Sequence, residues 1–352
     1  MFLNRLSLRK IRNIREANLT LNQKTNVIIG ENAAGKTSVL ESLDILSRGR
    51  SFRTNKFESL VSSGEKSFYV GATIGGSGKK LEIHKEKNKT RVLINDKEEK
   101  KQSLLAQELA ILSIHPSSHN LIEGPPSERR AFLDWGLFHV EQNFKKEWTS
   151  YIKLLKQRNE ALKTRALKDD IWLEKLAEAG EQITKMRASH MANLDKHFQQ
   201  NKEHILPNLE LSFLYEQGWE ENSSLFDSLC AKRAIDEERG YTSVGPQNAN
   251  ISISLNGREA QKVCSRGQQK LIANIMLLSQ SKEFYERREF PSIILVDDLS
   301  AELTLDMQEK ILERLFETNS QIFLTALNDS VLADILCEMD ANVFHVEHGE
   351  IT

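Results

Sequence analysis

A glycine-rich segment over residues 30–37 reads Gly-Glu-Asn-Ala-Ala-Gly-Lys-Thr and fits the pattern G-x-x-x-x-G-K-[ST] in full. The glycines of such a segment let backbone N–H groups close around phosphate oxygens, and the helix that follows directs its positive end at them. Lys36 is then placed to reach the β- and γ-phosphates, and the Thr37 hydroxyl is a ligand for Mg²⁺. The segment therefore predicts a site for ATP or GTP with Mg²⁺. Its predicted nucleotide contacts are Gly30, Glu31, Asn32, Ala33, Ala34, Gly35, Lys36 and Thr37.

Two acidic residues, Asp297 and Asp298, come directly after the apolar run Ile-Ile-Leu-Val of residues 293–296. Ligands bind beside the carboxyl ends of parallel strands, so acids at such a place lie near a nucleotide and its metal ion. We expect Asp297 to hold Mg²⁺ through water. We expect Asp298 to orient or deprotonate the attacking water, so Asp298 and Lys36 are predicted catalytic residues. The alternative is a polar strand end without chemistry.

A second candidate anion site precedes a predicted helix, where residues 265–270 read Ser-Arg-Gly-Gln-Gln-Lys. Ser265 can cap that helix, and its hydroxyl can then bind an anion together with the first helical N–H groups. A chain whose glycine-rich loop already holds the phosphates has little use for a second such site nearby. An ordinary helix cap is the alternative interpretation.

The elements that must position these residues alternate between β and α structure. Residues 26–30 form a short apolar run typical of a strand buried on both faces, and helical spacing follows over 37–46. Together they predict a strand, a tight loop and a helix. The same reading predicts an edge strand at 2–9, a further strand at 17–22, a β-ribbon at 67–74 and 81–94, strands at 251–255, 292–296 and 321–325, helices at 268–282 and 305–318, and a closing hairpin at 342–351.

The middle of the chain shows helical spacing of its apolar residues in place of the alternating β and α patterns. A helix start is predicted near Pro126, and apolar residues recur at helical spacing over 144–162 and again over 183–198. We interpret the two repeats as long antiparallel helices joined around Asp169-Asp170. The predicted organisation is therefore an α/β head in two segments, 1–120 and 241–352, with a helical arm over 121–240 inserted between them.

The net charge of −2 does not by itself indicate a nucleic-acid partner, but the local balance differs. Residues 145–168 carry far more bases than acids, and such a cluster can neutralise phosphates. We predict DNA contacts from Lys153, Lys156 and Arg158, with a solvated helix face as the equally weighted alternative. The basic residues of this stretch are Lys145, Lys146, Lys153, Lys156, Arg158, Lys163, Arg165 and Lys168.

The composition of the chain indicates the general class of protein to which it belongs. The chain has 352 residues, of which 39% are hydrophobic and 28% charged, as in a globular protein with more than one lobe. No apolar run approaches the roughly 20 residues that span a bilayer, and the first ten residues lack the apolar core of a signal peptide. Cys230, Cys264 and Cys337 are scattered and odd in number. We therefore expect a cytoplasmic protein.

These motifs together give a resemblance that can be named. The segment 265–268 resembles the signature loop of ABC-type ATPases, in which the loop of one subunit covers the γ-phosphate held by the other. Over essentially its whole length the chain resembles the RecF family of bacterial recombination-repair ATPases. The residues that carry the resemblance are Leu8-Arg-Lys-Ile-Arg12-Asn13-Ile, the glycine-rich segment running into Thr37-Ser-Val-Leu-Glu41, Gly49-Arg-Ser-Phe-Arg-Thr54, Gly124-Pro-Pro-Ser-Glu-Arg-Arg-Ala-Phe-Leu-Asp-Trp135, Ser265-Arg-Gly-Gln268, and Asp297-Asp298 with Glu302-Leu303.

The resemblance implies an α/β fold, an ABC-type P-loop ATPase head with an inserted helical arm domain. It implies an ATP-dependent homodimer that binds double-stranded DNA and single-strand gap junctions, hydrolyses ATP weakly under DNA stimulation, and works with RecR and RecO to load RecA. ATP and Mg²⁺ are the implied cofactors, and Ser265 is the implied catalytic residue in trans. The further implied ATP contacts are Ser265, Arg266, Gly267 and Gln268. Arg12 is also predicted to contact ATP; Arg12, Arg50 and Arg53 are expected to approach nucleotide or DNA, with a surface charge as the equally weighted alternative for each.

The chain departs from the family pattern at three places. It reads Gln247-Asn248-Ala249-Asn250 where the family has His-Arg or His-Lys and then Ala-Asp. Thr304 stands where the family has an Asp in the loop that crosses the dimer interface, and residues 115–120 replace a more acidic version. These departures leave the phosphate chemistry intact and bear on how hydrolysis is coupled to dimerisation.

Two other classes of function compete with an ATP-gated DNA clamp. A small-molecule P-loop kinase would need an acceptor pocket and mobile arginines, and it has no use for the segment 265–268. A non-catalytic scaffold for DNA or protein would tolerate the loss of Lys36. A transporter ATPase subunit is disfavoured by the inserted arm and by the lack of a switch histidine after Leu324.

Overall fold

The computed structural model describes residues 1–54, 56–164, 171–300, 303–327 and 340–352. The predicted turn at Asp169-Asp170 lies outside the described residues, as do Arg165, Lys168, Glu302 and Cys337. The strands are β1 (Leu3–Ile11), β2 (Ile14–Thr20), β3 (Thr25–Ile29), β4 (Ser67–Ile74), β5 (Lys80–Glu86), β6 (Thr90–Ile94), β7 (Lys97–Glu99), β8 (Ile111–Ile114), β9 (Leu211–Glu216), β10 (Asn250–Leu255), β11 (Arg258–Glu259), β12 (Ile293–Val296), β13 (Gln321–Ala326), β14 (Ala341–Glu347) and β15 (Glu350–Ile351).

The helices confirm the predicted α elements; most ends differ by a few residues, but the second arm helix, predicted from apolar spacing over 183–198, is longer and runs from Leu173 to Ile205. Short 3₁₀ turns lie at Pro116–His119 and Pro246–Asn248. Among the described residues, no helix combines the length and the apolar character needed to cross a membrane. The α-helices are α1 (Lys36–Arg48), α2 (Phe57–Leu60), α3 (Ser103–Glu108), α4 (Asn120–Glu123), α5 (Pro126–Val140), α6 (Phe144–Lys163), α7 (Leu173–Ile205), α8 (Leu225–Arg239), α9 (Ala260–Val263), α10 (Arg266–Arg288) and α11 (Leu305–Phe316).

Residues 1–118 and 284–352 form one compact unit, here called unit 1. One of its sheets runs in the order β15-β14-β3-β13-β12-β8, and β3 lies parallel to both β13 and β14. Every residue of β3, β12 and β13 is buried, which is typical of parallel strands covered on both faces. Because β12 and β13 are also parallel, the carboxyl ends of β3 and β12 lie at the same edge of the sheet.

The other sheet of unit 1 is antiparallel, in the order β2-β1-β4-β5-β6-β7. The prediction of an edge strand at residues 2–9 is wrong, because β1 pairs with β2 on one side and with β4 on the other. In β1, buried Leu6 and Leu8 alternate with more exposed polar residues. The alternation arises because one face of the sheet packs on the core while the other meets solvent.

Helix α1 begins at Lys36, near the end of the predicted phosphate-binding segment, and packs against strands of both sheets of unit 1. Its Leu40 and Leu43 belong to the same buried cluster as Leu6 of β1 and Phe323 of β13. Complete burial of one such side chain stabilises the fold by about 1.5–3 kcal/mol. The helix ends at Gly49, whose φ of 68° is left-handed and whose N–H donates to a carbonyl of the last turn.

Residues 119–283 form a second compact unit, unit 2, which contains the arm. A Cβ built on Gly180 of α7 would lie 3.2 Å from the Tyr151 ring of α6, and Arg187 of α7 lies 4.9 Å from the centre of the Trp148 ring of α6. Residue numbers therefore fall along α6 as they rise along α7, so the two helices are antiparallel, as predicted. The same Cβ would approach Leu225 of α8 to 2.4 Å, so a glycine lets three helices meet.

The segment 241–352, which the sequence predicts to be one part of the head, is divided between the two units. Its strand β10 pairs with β9 on one side and with β11 on the other. This pairing joins residues 241–283 to the preceding part of unit 2, whereas the remainder of the segment belongs to unit 1. The first division falls after residue 118, near the predicted boundary at 120.

Candidate nucleotide-binding site

The glycine-rich segment joins the carboxyl end of β3 to the first residue of α1, which confirms the predicted strand, loop and helix. Ala33 has a φ of 64° and Gly35 a φ of 128°. The left-handed region costs a residue with a side chain roughly 1–2 kcal/mol. A Cβ on Gly30 would lie 2.3 Å from the carbonyl oxygen of Val346 in β14, so a side chain at this position would collide with backbone. The loop therefore holds an unusual conformation against a neighbouring strand.

The ammonium group of Lys36 lies over its own loop. Its Nζ donates to the carbonyl oxygens of Gly30 at 2.7 Å and Glu31 at 2.9 Å. Partial burial lowers the pKa of Lys36, and the nearby charges of Asp297, Asp298 and Glu31 oppose that shift. A partly desolvated cation with its donors free to reorient is suited to bind phosphate oxygens through charge-assisted hydrogen bonds.

Asp297 is brought to the glycine-rich loop from the end of β12. Its Oδ1 accepts hydrogen bonds from the Thr37 hydroxyl at 2.9 Å and from the Thr325 hydroxyl at 3.0 Å. The residue is 7% exposed. Burial raises the pKa of the Asp297 carboxyl, and the charge of Asp298 raises it further, while the two hydrogen bonds act in the opposite direction. The predicted pairing of Thr37 with Asp297 at one metal site is therefore supported by direct contact.

Asp298 differs from Asp297 in its solvent exposure and in its backbone conformation. The residue is exposed, and its φ of 53° is left-handed, a region that Asp tolerates better than most residues. Its N–H donates to the Thr325 hydroxyl at 3.0 Å, so Thr325 contacts both acids. A buried carboxylate beside Thr37 and an exposed one next to it suit the two predicted roles, metal binding and contact with water.

Arg12 points to an acid of α1. Its Nε and Nη2 donate to the two carboxylate oxygens of Glu41 at 3.0 and 2.7 Å, and Glu41 is fully buried. The Ser51 hydroxyl also donates to Glu41, and Arg53 Nη1 lies 4.0 Å from it. The predicted contact of Arg12 with the nucleotide stays a prediction, since the structure shows this side chain in a bidentate ion pair with Glu41.

Asn13 is a residue of the site that the sequence reasoning missed. It follows Arg12 in the turn between β1 and β2, and its Nδ2 donates to the carbonyl oxygen of Ala34 at 2.6 Å. Its Oδ1 accepts from the Ser38 hydroxyl at 3.1 Å. Asparagine is common in turns. Asn13 lies in the segment 8–14 that carries the family resemblance, but its type and position do not indicate a contact with Ala34, 21 residues further along the chain.

The segment 265–268 caps α10 in the manner predicted. Gln268 N donates to Ser265 Oγ at 3.3 Å, and Ser265 N donates to Gln268 Oε1 at 2.9 Å, which is a reciprocal capping box. Ser265 and Arg266 are exposed, and no acid occupies the first turn of this 23-residue helix. The positive end of a long helix, with a serine hydroxyl at its start, faces solvent. This segment belongs to unit 2, whereas Lys36, Thr37, Asp297 and Asp298 belong to unit 1.

The predicted DNA contacts do not form one set. Lys153 and Lys156 are exposed on one face of α6. Arg158 is fully buried, and its Nη1 donates to Asp236 at 2.8 Å and to the Thr242 hydroxyl at 2.7 Å. The prediction that Arg158 binds DNA is therefore wrong, because a guanidinium inside unit 2 cannot reach a phosphate. The sequence does not distinguish the buried Arg158 from the two exposed lysines, because its partner Asp236 lies 78 residues away in the chain.

Two departures from the family pattern make contacts inside unit 2. Gln247 accepts a hydrogen bond from the Tyr151 hydroxyl and donates to the carbonyl oxygen of Val244 at 3.0 Å. Asn250 accepts from Arg129 Nε at 2.9 Å. Both uncharged side chains therefore hydrogen-bond to other residues of unit 2.

A glycine-rich loop between β3 and α1, a strand that ends in paired acids and a serine-capped helix outside that sheet define an ABC-type P-loop ATPase with an inserted helical arm. The profile of the RecF/RecN/SMC N-terminal domain family matches residues 2–352. The chain is 35% identical to the DNA replication and repair protein RecF of Pseudoalteromonas translucida and 36% identical to that of Psychromonas ingrahamii. Each alignment covers 100% of this chain and 99% of the relative. The chain belongs to the RecF family.

Solved structures agree with this assignment. The recombination mediator protein RecF bound to ATP, described as part of the RecFOR pathway, is 26% identical and superposes with a TM-score of 0.86 over 100% of this chain and 97% of the other. An Smc head domain from Pyrococcus furiosus superposes with a TM-score of 0.62 at 14% identity, covering 100% of this chain and 95% of the other. The second likeness concerns the fold alone.

Proposed function

We propose that this protein is an ATP-gated DNA clamp of recombinational repair, in which ATP closes a homodimer on DNA and weak, DNA-stimulated hydrolysis opens it. The structurally similar RecF is described as a recombination mediator with bound ATP. By extension, RecO and RecR are the expected partners, and loading of RecA at single-strand gaps is the expected outcome. Duplex DNA and gap junctions are the expected substrates of the clamp.

The observation that carries the proposal is the exposed, serine-capped start of α10. The hydroxyl of Ser265 accepts the capping hydrogen bond from Gln268 and still has its own proton to donate. An exposed hydroxyl at the positive end of a long helix suits a γ-phosphate. We propose that this phosphate is the one held by Lys36 of a second copy, with Arg266, Gly267 and Gln268 close to it.

The residues of unit 1 support the ATP side of this mechanism. Lys36 would exchange the carbonyls of Gly30 and Glu31 for phosphate oxygens, gaining a charged partner in place of neutral ones. Asp298, exposed beside the buried Asp297, would accept a proton from the attacking water or orient it. Because the γ-phosphate would contact both copies, its presence favours the closed dimer and its loss on hydrolysis favours opening.

The donor set fits Mg²⁺. A Thr37 hydroxyl oxygen and an Asp297 carboxylate oxygen 2.9 Å apart are hard oxygen ligands of the kind that this ion prefers. The cation would neutralise charge that develops on the phosphates, and its own charge would favour the ionised form of Asp297. Thr37 and Asp297 are therefore the residues that we propose to hold it.

The oligomeric mass of the protein tests the clamp. The native chain and Ser265→Arg should be weighed with a non-hydrolysed ATP analogue, with ADP and without nucleotide. We expect the ATP form of the native chain alone to be a dimer, and Ser265→Arg to bind nucleotide yet stay monomeric, because a bulky cation replaces the capping hydroxyl.

Ser189→Arg is the matched control, since Ser189 is also exposed but lies in the middle of α7. It should dimerise like the native chain. A monomer in every condition for the native chain would contradict the clamp, and full function of Lys36→Ala would favour a scaffold instead.

A further inference from the structure

The carbonyl oxygen of Ala34, inside the phosphate-binding loop, accepts two hydrogen bonds from outside that loop. Asn13 Nδ2 donates at 2.6 Å, and Gly349 N donates at 2.9 Å. Asn13 also reaches the Ala33 carbonyl at 3.4 Å and accepts from the Ser38 hydroxyl at 3.1 Å. One amide side chain thus connects the β1–β2 turn, the loop and the first turn of α1.

Gly349 belongs to the turn of the hairpin formed by β14 and β15. His348 and Gly349 have φ values of 49° and 85°, as expected in the tight turn of a two-residue hairpin. A Cβ on Gly349 would lie 2.1 Å from the carbonyl oxygen of Asn13, so the hairpin turn and the β1–β2 turn touch through backbone. The same hairpin also contacts Gly30 through the Val346 carbonyl.

The loop has a physical need for such support. Ala33 carries a side chain in the left-handed region, and Gly35 has a φ of 128°. Conformations of this kind persist only where the surroundings over-determine them. A loop that is already held in its binding shape loses less conformational freedom when a ligand arrives, so its support contributes to affinity.

We propose that Asn13 and the β14–β15 turn form a brace that keeps residues 30–37 in the phosphate-binding shape, which makes Asn13 a positioning residue for the triphosphate. The brace rests on the proposed nucleotide function, but its structural part can be tested without nucleotide. In this arrangement Asn13 acts on the phosphates through the backbone of Ala34.

Asn13→Ala removes the donor to Ala34 and the acceptor for Ser38. We expect ATP to bind about tenfold more weakly, the effect of one or two lost hydrogen bonds. Asn18→Ala is the matched control, since Asn18 is an exposed residue of β2 that accepts a side-chain hydrogen bond from Ser7. This control should bind ATP like the native chain.

Gly349→Ala tests the hairpin half of the brace, because the added Cβ would push the turn away from Asn13. We expect the same loss of ATP affinity as in Asn13→Ala. Gly76→Ala is the control: Gly76 has a similar φ of 79°, and an added Cβ there would meet nothing within 4 Å. It therefore reproduces the backbone strain without the collision and should leave ATP affinity unchanged.

Amide hydrogen exchange over residues 30–37, measured without nucleotide, decides the proposal independently of ATP. We expect exchange about tenfold faster in Asn13→Ala and Gly349→Ala than in the native chain and in the two controls. Native exchange in both variants would overturn the brace, even if ATP affinity fell. A native chain that binds no ATP would contradict the proposed function instead, and exchange would still decide whether the brace exists.

Discussion

Asp297 is the residue of the site whose ionised form is most clearly disfavoured by its surroundings. It is 7% exposed, burial raises its pKa, and the adjacent Asp298 adds to the rise. Hydrogen bonds from Thr37 and Thr325 offset part of this effect. A carboxylate in such surroundings gains from a divalent cation, which reverses the local preference for the neutral form.

Asp297→Asn should therefore raise the melting temperature of the protein without Mg²⁺ near neutral pH. The same change should lower ATP hydrolysis by about 100-fold or more, since a lost metal interaction is worth several kcal/mol. The amide keeps an oxygen that accepts from Thr37. For an acid whose folded pKa is raised, the destabilisation is full at pH values above the folded pKa. It vanishes below the unfolded pKa. The gain in melting temperature should thus disappear as the pH falls through the ordinary range of Asp.

Asp96→Asn is a control for this change, because Asp96 is highly exposed and lies in a turn of unit 1. Its melting temperature and ATP hydrolysis should stay close to the native values at every pH. A destabilised Asp297→Asn at neutral pH, or one that hydrolyses ATP normally, would contradict the proposal that Asp297 is a strained carboxylate that holds the metal ion.

Residue types and spacing were enough to predict that Thr37 and Asp297 lie near each other, because the glycine-rich pattern and the strand that ends in acids are both local signals, but the direct hydrogen bond between them was not predicted. The roles of Asn13 and Arg158 could not be predicted in this way. Asn13 contacts a loop that only the fold brings close, and Arg158 is buried against Asp236. Neither partner is marked in the sequence around the residue.

Among the elements, α6 presents the surface proposed to meet DNA. Lys153 and Lys156 are exposed one turn apart on this helix. Arg158 on the same helix belongs to the interior, and removal of one partner of a buried ion pair costs about 3–5 kcal/mol. A change at Arg158 would therefore report on the stability of unit 2 and not on DNA binding.

Replacement of Lys153 and Lys156 by Glu should weaken binding to duplex DNA by about tenfold. The fall of log affinity with log salt should become less steep by about 2, roughly one for each lost phosphate contact. The measurement is a salt titration of DNA affinity. Lys97→Glu with Lys100→Glu is a control with the same change in net charge at exposed residues of unit 1. Equal losses in both double variants would contradict a specific role for α6.

The elements themselves were mostly predictable, because apolar periodicity distinguishes buried strands such as β3 from amphipathic helices such as α6 and α7. The position of β1 between two neighbouring strands of its sheet was not predictable. Alternation of buried and exposed residues shows that one face is covered, but it carries no information on how many neighbours a strand has. The partner β4 lies beyond the phosphate loop and α1 in the chain, so its pairing with β1 is decided by the tertiary fold.

For the whole molecule, the proposed mechanism requires that two copies complete one nucleotide site. The loop with Lys36 belongs to unit 1 and the capped serine Ser265 to unit 2. The sequence predicted both segments but placed residues 241–283 with the head, because strand pairing between β9 and β10 cannot be read from either strand alone. A site divided between copies of one chain has a property that no single-chain site has: two different defects can complement each other.

Mixing Lys36→Ala with Ser265→Arg tests this claim most directly. A mixed dimer would carry one intact site, formed by the phosphate loop of the serine variant and the capped serine of the lysine variant. The dimer mass should be measured for each variant alone and for the mixture, with a non-hydrolysed ATP analogue. We predict that neither variant dimerises alone and that the mixture yields a dimer containing one copy of each. A mixture that stays monomeric, or either variant dimerising by itself as the native chain does, would contradict a nucleotide site shared between two copies.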